Sequence, residues 1–161
     1  MRYAEVVGVY EQLTKTTKRL EKIHYLSHFI KGIPEADLDH VLLLAQGRVF
    51  PAWDMREIGM ASQLVVKAIS LATGSDLAAV EARWKQTGDL GETAASLITT
   101  KKQATLFSQE LTTRKVSDNL RKLATLEGVG VVQAKLQLVA ELLTSATSLE
   151  AKYIEIGRAH V

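Results

Sequence analysis

Leu126-Glu127-Gly128-Val129-Gly130-Val131-Val132-Gln133-Ala134-Lys135 joins two stretches of helical periodicity and decides the fold class. Residues 113–127 before it put Val116, Leu120, Leu123 and Ala124 on one stripe. Residues 131–146 after it do the same with Val132, Leu136, Val139, Leu142 and Leu143. Two glycines one residue apart tolerate positive φ and let a foreign backbone come close. The helix that opens after Gly130 presents unbonded N–H groups, which favour an anion, most often phosphate. Ala134 and Lys135 sit just inside that helix, so Gly128, Gly130 and Lys135 read as a phosphate-gripping hairpin. An ordinary helix–helix turn is the alternative, because glycine is a common helix stop.

Moving outward, the same periodicity recurs along a chain with only two prolines and no strong alternating runs. It predicts helices over about 3–13 (Val6, Val7, Tyr10, Leu13 inward) and 18–31 (Leu20, Ile23, Phe29, Ile30 inward), the latter capped by Thr16 or Thr17. Further helices are expected over 34–46 with Leu38, Val41, Leu42 and Ala45 inward, over 60–73, and over 76–87 with Leu77, Val80 and Trp84. Glycines 32, 47, 74 and 88 mark helix ends. Asp89 with Glu92, and Thr147 with Glu150, have capping-box spacing, and Thr112 is placed to cap the helix at 113. Residues 48–54 form an aromatic loop, and 99–111 read as an exposed loop or short ribbon. The expected fold is all-α: a single compact multi-helix domain with helix-turn-helix-like hairpins.

Composition narrows the function. The 161 residues suit one domain and are 47% hydrophobic, enough for a real core. There is no cysteine, so no disulfide framework or thiolate metal site, which fits a cytoplasmic location. No apolar run approaches the roughly 20 residues of a membrane span. Net charge is only +2, but its distribution is uneven. Residues 1–31 hold six Lys/Arg against three acids, 32–98 five against nine, and 99–161 nine against six. A basic face is compatible with that asymmetry, as are ordinary solvated helix surfaces.

No catalytic set emerges. His24 and His28 have i, i+4 spacing, but no third ligand accompanies them and they read as a solvated pair. Asp37 and Asp39 suit the first turns of a helix through its dipole. Trp53 and Trp84 read as core or loop anchors rather than base-stacking platforms. Neither a Gly-x-x-x-x-Gly-Lys-Ser/Thr loop nor a Lys-x-Asp-Gly tetrad occurs. What remains is hydroxyl, glycine and basic residues at helix starts and in loops: Thr16, Thr17, Lys18 and Arg19; Lys101 and Lys102; Arg114 and Lys115; Gly128, Gly130 and Lys135. Such groups suit a sugar-phosphate backbone rather than base edges.

Several blocks in order also resemble a known family. They include Thr16-Thr17-x-Arg19, Gly47-x-Val49-Phe50-Pro51-x-Trp53-Asp54, Thr87-Gly88-Asp89-Leu90-Gly91-Glu92, Phe107-Ser108, Glu127-Gly128-x-Gly130 and Glu150-Ala151-x-Tyr153-Ile154. The chain resembles the N-terminal DNA-binding domain of ATP-dependent DNA ligases, archaeal type, from about Met1 to Ile154. The resemblance implies an all-α domain that encircles nicked duplex DNA together with adenylation and OB-fold domains of the same parent chain. It implies phosphate and minor-groove contacts without sequence readout, in a ligase of DNA replication, repair and recombination. By position, Arg19 and the Gly128/Gly130 turn are the leading DNA-contact candidates, followed by Thr17, Lys101 and Lys135; Lys102, next to Lys101, is a candidate from the residue pattern. Three residues depart from the family's pattern: Val131 stands where Ser is frequent, Ala61 for a glycine, and Glu110 for a proline. ATP and magnesium belong to parent domains that carry the Lys-x-Asp-Gly lysine, so this chain is expected to hold no cofactor, metal or catalytic residue and to be inactive alone. A sliding clamp is left open as a further partner. Residues 1–155 are expected to be the DNA-binding domain, incomplete at its C-terminus. Residues 156–161, Ile-Gly-Arg-Ala-His-Val, resemble a translated sequencing adaptor and are expected to be a read-through tail, with a natural short tail as the alternative. A helical protein-interaction module is the rival reading of the whole chain.

Overall fold

The periodicities become nine α-helices among the described residues, which are 1–100 and 109–154 of this computed structural model. They are α1 (Tyr3–Thr14), α2 (Arg19–Lys31), α3 (Leu38–Ala45), α4 (Ser62–Thr73), α5 (Leu77–Thr87), α6 (Leu90–Thr99), α7 (Thr113–Thr125), α8 (Val131–Ser145) and α9 (Ser148–Tyr153). A single 3-10 turn, Glu35–Asp37, precedes α3.

Local chemistry sets the ends. The Thr112 hydroxyl accepts the Lys115 N–H at 3.2 Å, and Asp89 accepts that of Glu92 at 2.8 Å. Thr147 and Glu150 form the full reciprocal box, at 3.2 and 2.8 Å. At α6 only half of the expected box forms, because the Glu92 carboxylate turns to Lys152 at 3.3 Å. Gly74 and Gly88 close α4 and α5 in the left-handed region, φ 73° at both.

The core is one cluster fed by nearly every helix: Val6 and Val7 of α1, Val41 of α3, Val66 and Ile69 of α4, Val80 of α5, Val116 and Leu123 of α7, Val139 and Leu142 of α8. The closest helix pairs are α4 with α8 and α6 with α9. The second pair joins two of the sequence blocks, Thr87–Glu92 and Glu150–Ile154. Gly91 faces the carbonyl of Lys152, and a Cβ at Gly91 would lie 2.3 Å from that oxygen. Lys152 then bridges Glu11 at 3.1 Å and Glu92 at 3.3 Å, and the Tyr153 hydroxyl also donates to Glu11. Tyr3 donates to the Tyr153 carbonyl at 2.9 Å, fastening the first helix to the last. Burial works against the Lys152 charge, but its carboxylate partners outweigh it and hold the ammonium above its ordinary pKa. The Tyr153 and Lys152 bonds hold the Glu11 carboxyl below its ordinary value.

Several inward assignments do not hold. α2 buries none of its residues, and Leu20 is 80% exposed, with Ile23 and Ile30 also open. Only one edge of α2 meets the body, where Phe29 touches the core, so its second apolar stripe faces water. Neither Thr16 nor Thr17 caps it. Lys18 is the N-cap, and Thr16 instead accepts the Lys18 N–H at 3.1 Å and donates to Glu21. Leu38, Leu77 and Val132 are exposed as well, each lying at or near a helix start beyond the reach of the core. Asp37 and Asp39 do more than complement a dipole: Asp37 pairs with the Met1 ammonium at 2.6 Å, and Asp39 with the His40 ring at 3.0 Å. His40 is itself buried, with its other nitrogen 3.0 Å from the Thr113 hydroxyl. Of the expected 99–111 loop, residues 99–100 and 109–111 are described: Thr99 is the last residue of α6, and Leu111 is buried and accepts the Tyr3 N–H at 2.7 Å. Arg2 and Thr112 form an isolated antiparallel bridge.

Candidate nucleic-acid interface

The glycine turn takes up the conformation its composition demands. Gly128 has φ 90° and Gly130 φ 81°, both in the left-handed region closed to most side chains. Gly130 is the N-cap of α8 and brings no side chain to it. Its carbonyl accepts the Ala134 N–H at 3.0 Å, so regular helical bonding begins there, and the N–H groups of Val131, Val132 and Gln133 lie in the unbonded first turn. Val129 stands fully in solvent at the tip. Val131, the first residue of α8, brings no hydroxyl to this turn.

Two bonds fix a second element beside this hairpin. Arg121, one turn before the end of α7, donates through Nε to the Val49 carbonyl at 2.8 Å. Lys135, in the second turn of α8, donates to the Gly59 carbonyl at 3.4 Å. The loop from 47 to 61 is therefore stitched at both ends to the two helices that flank the glycine turn. Lys135 keeps two of its three ammonium protons for other acceptors. Within the loop, Asp54 N–H bonds the Pro51 carbonyl at 3.0 Å, closing a turn. Arg56 grips the Asp54 carboxylate at 2.6 to 3.1 Å and lies over the Phe50 ring at 4.3 Å. That fork holds the Asp54 carboxyl below its ordinary pKa and the Arg56 guanidinium above. The turn leaves Trp53 80% exposed and Met55 90% exposed, so Trp53 is no core anchor, whereas Trp84 is half-buried against the core.

The remaining sequence candidates are distributed differently. Thr17 and Arg19 are exposed at the start of α2, and no hydrogen bond or ion pair among the described residues joins them to the glycine turn. Lys101 and Lys102 lie outside the described residues, as do Phe107 and Ser108. Arg114 and Lys115 are tied internally: Arg114 donates to the Ala36 carbonyl at 2.6 Å, and Lys115 pairs with Glu141. The Lys115 bond pulls the Glu141 carboxyl below its ordinary value. Nothing in the sequence signals the role of Arg121 or Met55, and Trp53 reads there as a core or loop anchor rather than an exposed tip. The two aromatic residues Phe50 and Trp53 were the available signal for the tip, but nothing local shows which of them is buried.

Among the described residues no group of three or more His, Cys, Asp or Glu side chains can hold a metal. His24 and His28 lie exposed on α2. A cavity of about 160 Å³ lies between α4, α5, α6, α8 and α9, walled by Val65, Ile69, Trp84, Leu143 and Ile154. Its one titratable wall residue, Asp89, is occupied in capping α6, so no set of acid, base and nucleophile converges there. No single described helix is long and apolar enough to cross a membrane.

A family model described as DNA ligase N terminus matches residues 2–155. The chain belongs to the DNA ligase N-terminal family. Among curated relatives, the DNA ligase of Thermococcus fumicolans is 42% identical over 154 residues, covering 96% of this chain and 28% of the relative. The DNA ligase of Methanosphaera stadtmanae is 40% identical over 155 residues, covering 94% of this chain and 28% of the relative. The DNA ligase 2 of Korarchaeum cryptofilum is 34% identical over 154 residues. The chain thus spans little more than a quarter of the length of these ligases. Family membership and the all-α architecture agree with the resemblance seen in the sequence blocks. It also gives those blocks physical content, since two of them are the two sides of the α6–α9 contact at Gly91 and Lys152.

Proposed function

We propose that this DNA ligase N-terminal chain binds nicked duplex DNA without reading its sequence, as the DNA-binding domain of an ATP-dependent ligase in replication, repair and recombination. The carrying observation is the Gly128–Gly130 turn, with both glycines left-handed and α8 opening without a side-chain cap. A phosphate set at that helix start would meet backbone N–H groups and the positive end of the helix dipole, with Lys135 adding a charge from the next turn. The contribution is positioning and affinity, with the sealing chemistry left to adenylation and OB-fold domains of a longer parent chain. On this reading residues 1–155 are the DNA-binding unit and 156–161 a tail foreign to it. Thr17 and Arg19 would take backbone phosphates at a second point, the start of α2.

The test is a titration of nicked duplex DNA at several salt concentrations. With about four phosphates neutralised, log affinity falls with log salt at a slope of about −3 to −4. Lys135→Ala and Arg19→Ala each flatten that slope by about one. No binding at low salt, or an affinity indifferent to salt, refutes the proposal. The exposed stripe of Leu20, Ile23 and Ile30 on α2 favours a protein-interaction role as the second reading, and a flat salt response would point to it.

A further inference from the structure

Trp53 and Met55 stand together in solvent at the tip of the 47–61 loop, and that tip is braced from within. The Pro51–Asp54 turn is closed by a backbone bond, Arg56 clamps Asp54 from below, and Phe50, buried under the Arg56 guanidinium, anchors the whole to the core. The tip is thereby pre-organised, and the entropy of fixing it for a partner is already spent in folding. Its position is equally specific. The loop's ends are bonded to Arg121 of α7 and Lys135 of α8, on either side of the glycine turn. The charges on the loop and the adjoining helix ends favour an anionic partner: Arg48, Arg121, Lys122 and Lys135 stand against Glu57 and Glu127, while Arg56 and Asp54 neutralise each other.

We infer that Trp53 and Met55 form an apolar wedge that enters the minor groove of the duplex beside the phosphates taken by the glycine turn. The inference rests on the DNA-binding reading above, in which the family resemblance already implies a minor-groove contact, and deepens it by naming Trp53 and Met55 as residues that make it. Apolar side chains placed against deoxyribose and base edges in the minor groove add affinity that does not depend on counterion release. The tip therefore differs from Lys135 in kind: one contributes an uncharged contact, the other a salt-dependent one.

The experiment is a fluorescence-anisotropy titration of a labelled nicked duplex with wild type, Trp53→Ala, Trp53→Phe and Lys135→Ala, each across a salt series. Trp53→Ala is expected to bind about five- to tenfold more weakly at every salt concentration with the slope unchanged, the size expected for losing one aromatic contact to nucleic acid. Trp53→Phe should recover most of the loss, and Lys135→Ala should flatten the slope instead. Because the Trp53 side chain is mostly solvent-exposed, its variants should melt with the wild type, and far-UV circular dichroism checks this. Wild-type affinity in Trp53→Ala overturns the inference, assigning the tip to a protein contact or to none, and leaves the DNA-binding reading standing. A Trp53→Ala effect that appears only as a changed salt slope overturns it too. If wild type itself fails to bind at low salt, both fall together.

Discussion

Gly91→Ala sets helix propensity against a steric contact, and the two predict opposite signs. Gly91 lies within α6 with no left-handed backbone requirement, so propensity alone says that alanine stabilises by about 0.5–1 kcal/mol. The tertiary structure says otherwise. The added Cβ would lie 2.3 Å from the Lys152 carbonyl oxygen and 3.3 Å from its carbon, and the obstructing atoms are backbone, which cannot swing aside. Relief requires α6 and α9 to separate, with the Lys152 bridges to Glu11 and Glu92 stretched as they do. Overpacking of that kind typically costs about 1–3 kcal/mol. The net effect is a destabilisation of about 1–2 kcal/mol, which for a domain of this size lowers Tm by roughly 2–8 °C. Gly8→Ala is the matched control. It lies mid-way along α1 with nothing within 4 Å of its missing Cβ, so it should raise Tm by about 1–4 °C. Thermal melts of the two variants beside wild type, followed by far-UV circular dichroism, decide the matter. If Gly91→Ala melts at or above wild type, the α6–α9 contact is not the reason for that glycine, and the account of the paired sequence blocks fails.

Glu11→Gln removes the carboxylate shared by Lys152 and Tyr153. The folded-state pKa of Glu11 lies below its ordinary 4.5, so its stabilisation is fully present above that value and disappears as pH falls through the depressed one. Discounted for partial exposure, the loss at neutral pH is about 1 kcal/mol, and the gap between variant and wild type should close in acid; a gap independent of pH contradicts this. Thr113→Val keeps the shape of a fully buried side chain but deletes the hydroxyl that joins His40 to the Met1 carbonyl. Urea denaturation should show a loss of about 1–3 kcal/mol with the m-value unchanged, and a neutral result would mean that His40 finds another partner.

The local features of this chain could be read because their causes are local. Periodicity located α1 to α5, α7 and α8, the starts of α6 and α9 were marked by capping spacing, and the caps at Asp89, Thr112 and Thr147 depend only on residues three positions away. The two glycines of the 128–130 turn announced a left-handed connection because no other residue adopts one so freely. Burial was a different matter. α2 has apolar residues on more than one face, and only the placement of α1 decides that Leu20, Ile23 and Ile30 remain in water. Likewise the charge of Arg114, Lys115 or Arg121 is plain in the sequence, while its partner is an atom 26 to 78 positions away.

The candidate interface divides along the same line. By itself the sequence determined an all-α chain, a left-handed glycine turn between two helices, and blocks that mark the DNA ligase N-terminal family. Tertiary structure alone decided that those blocks meet across Gly91 and Lys152, that Glu11 and Lys152 close the first helix onto the last, and that the 47–61 loop is bound to the glycine hairpin with Trp53 in solvent. The physical reason is range. Backbone conformation and capping are set within a turn or two of chain, whereas desolvation and ion pairing depend on groups that only folding brings together.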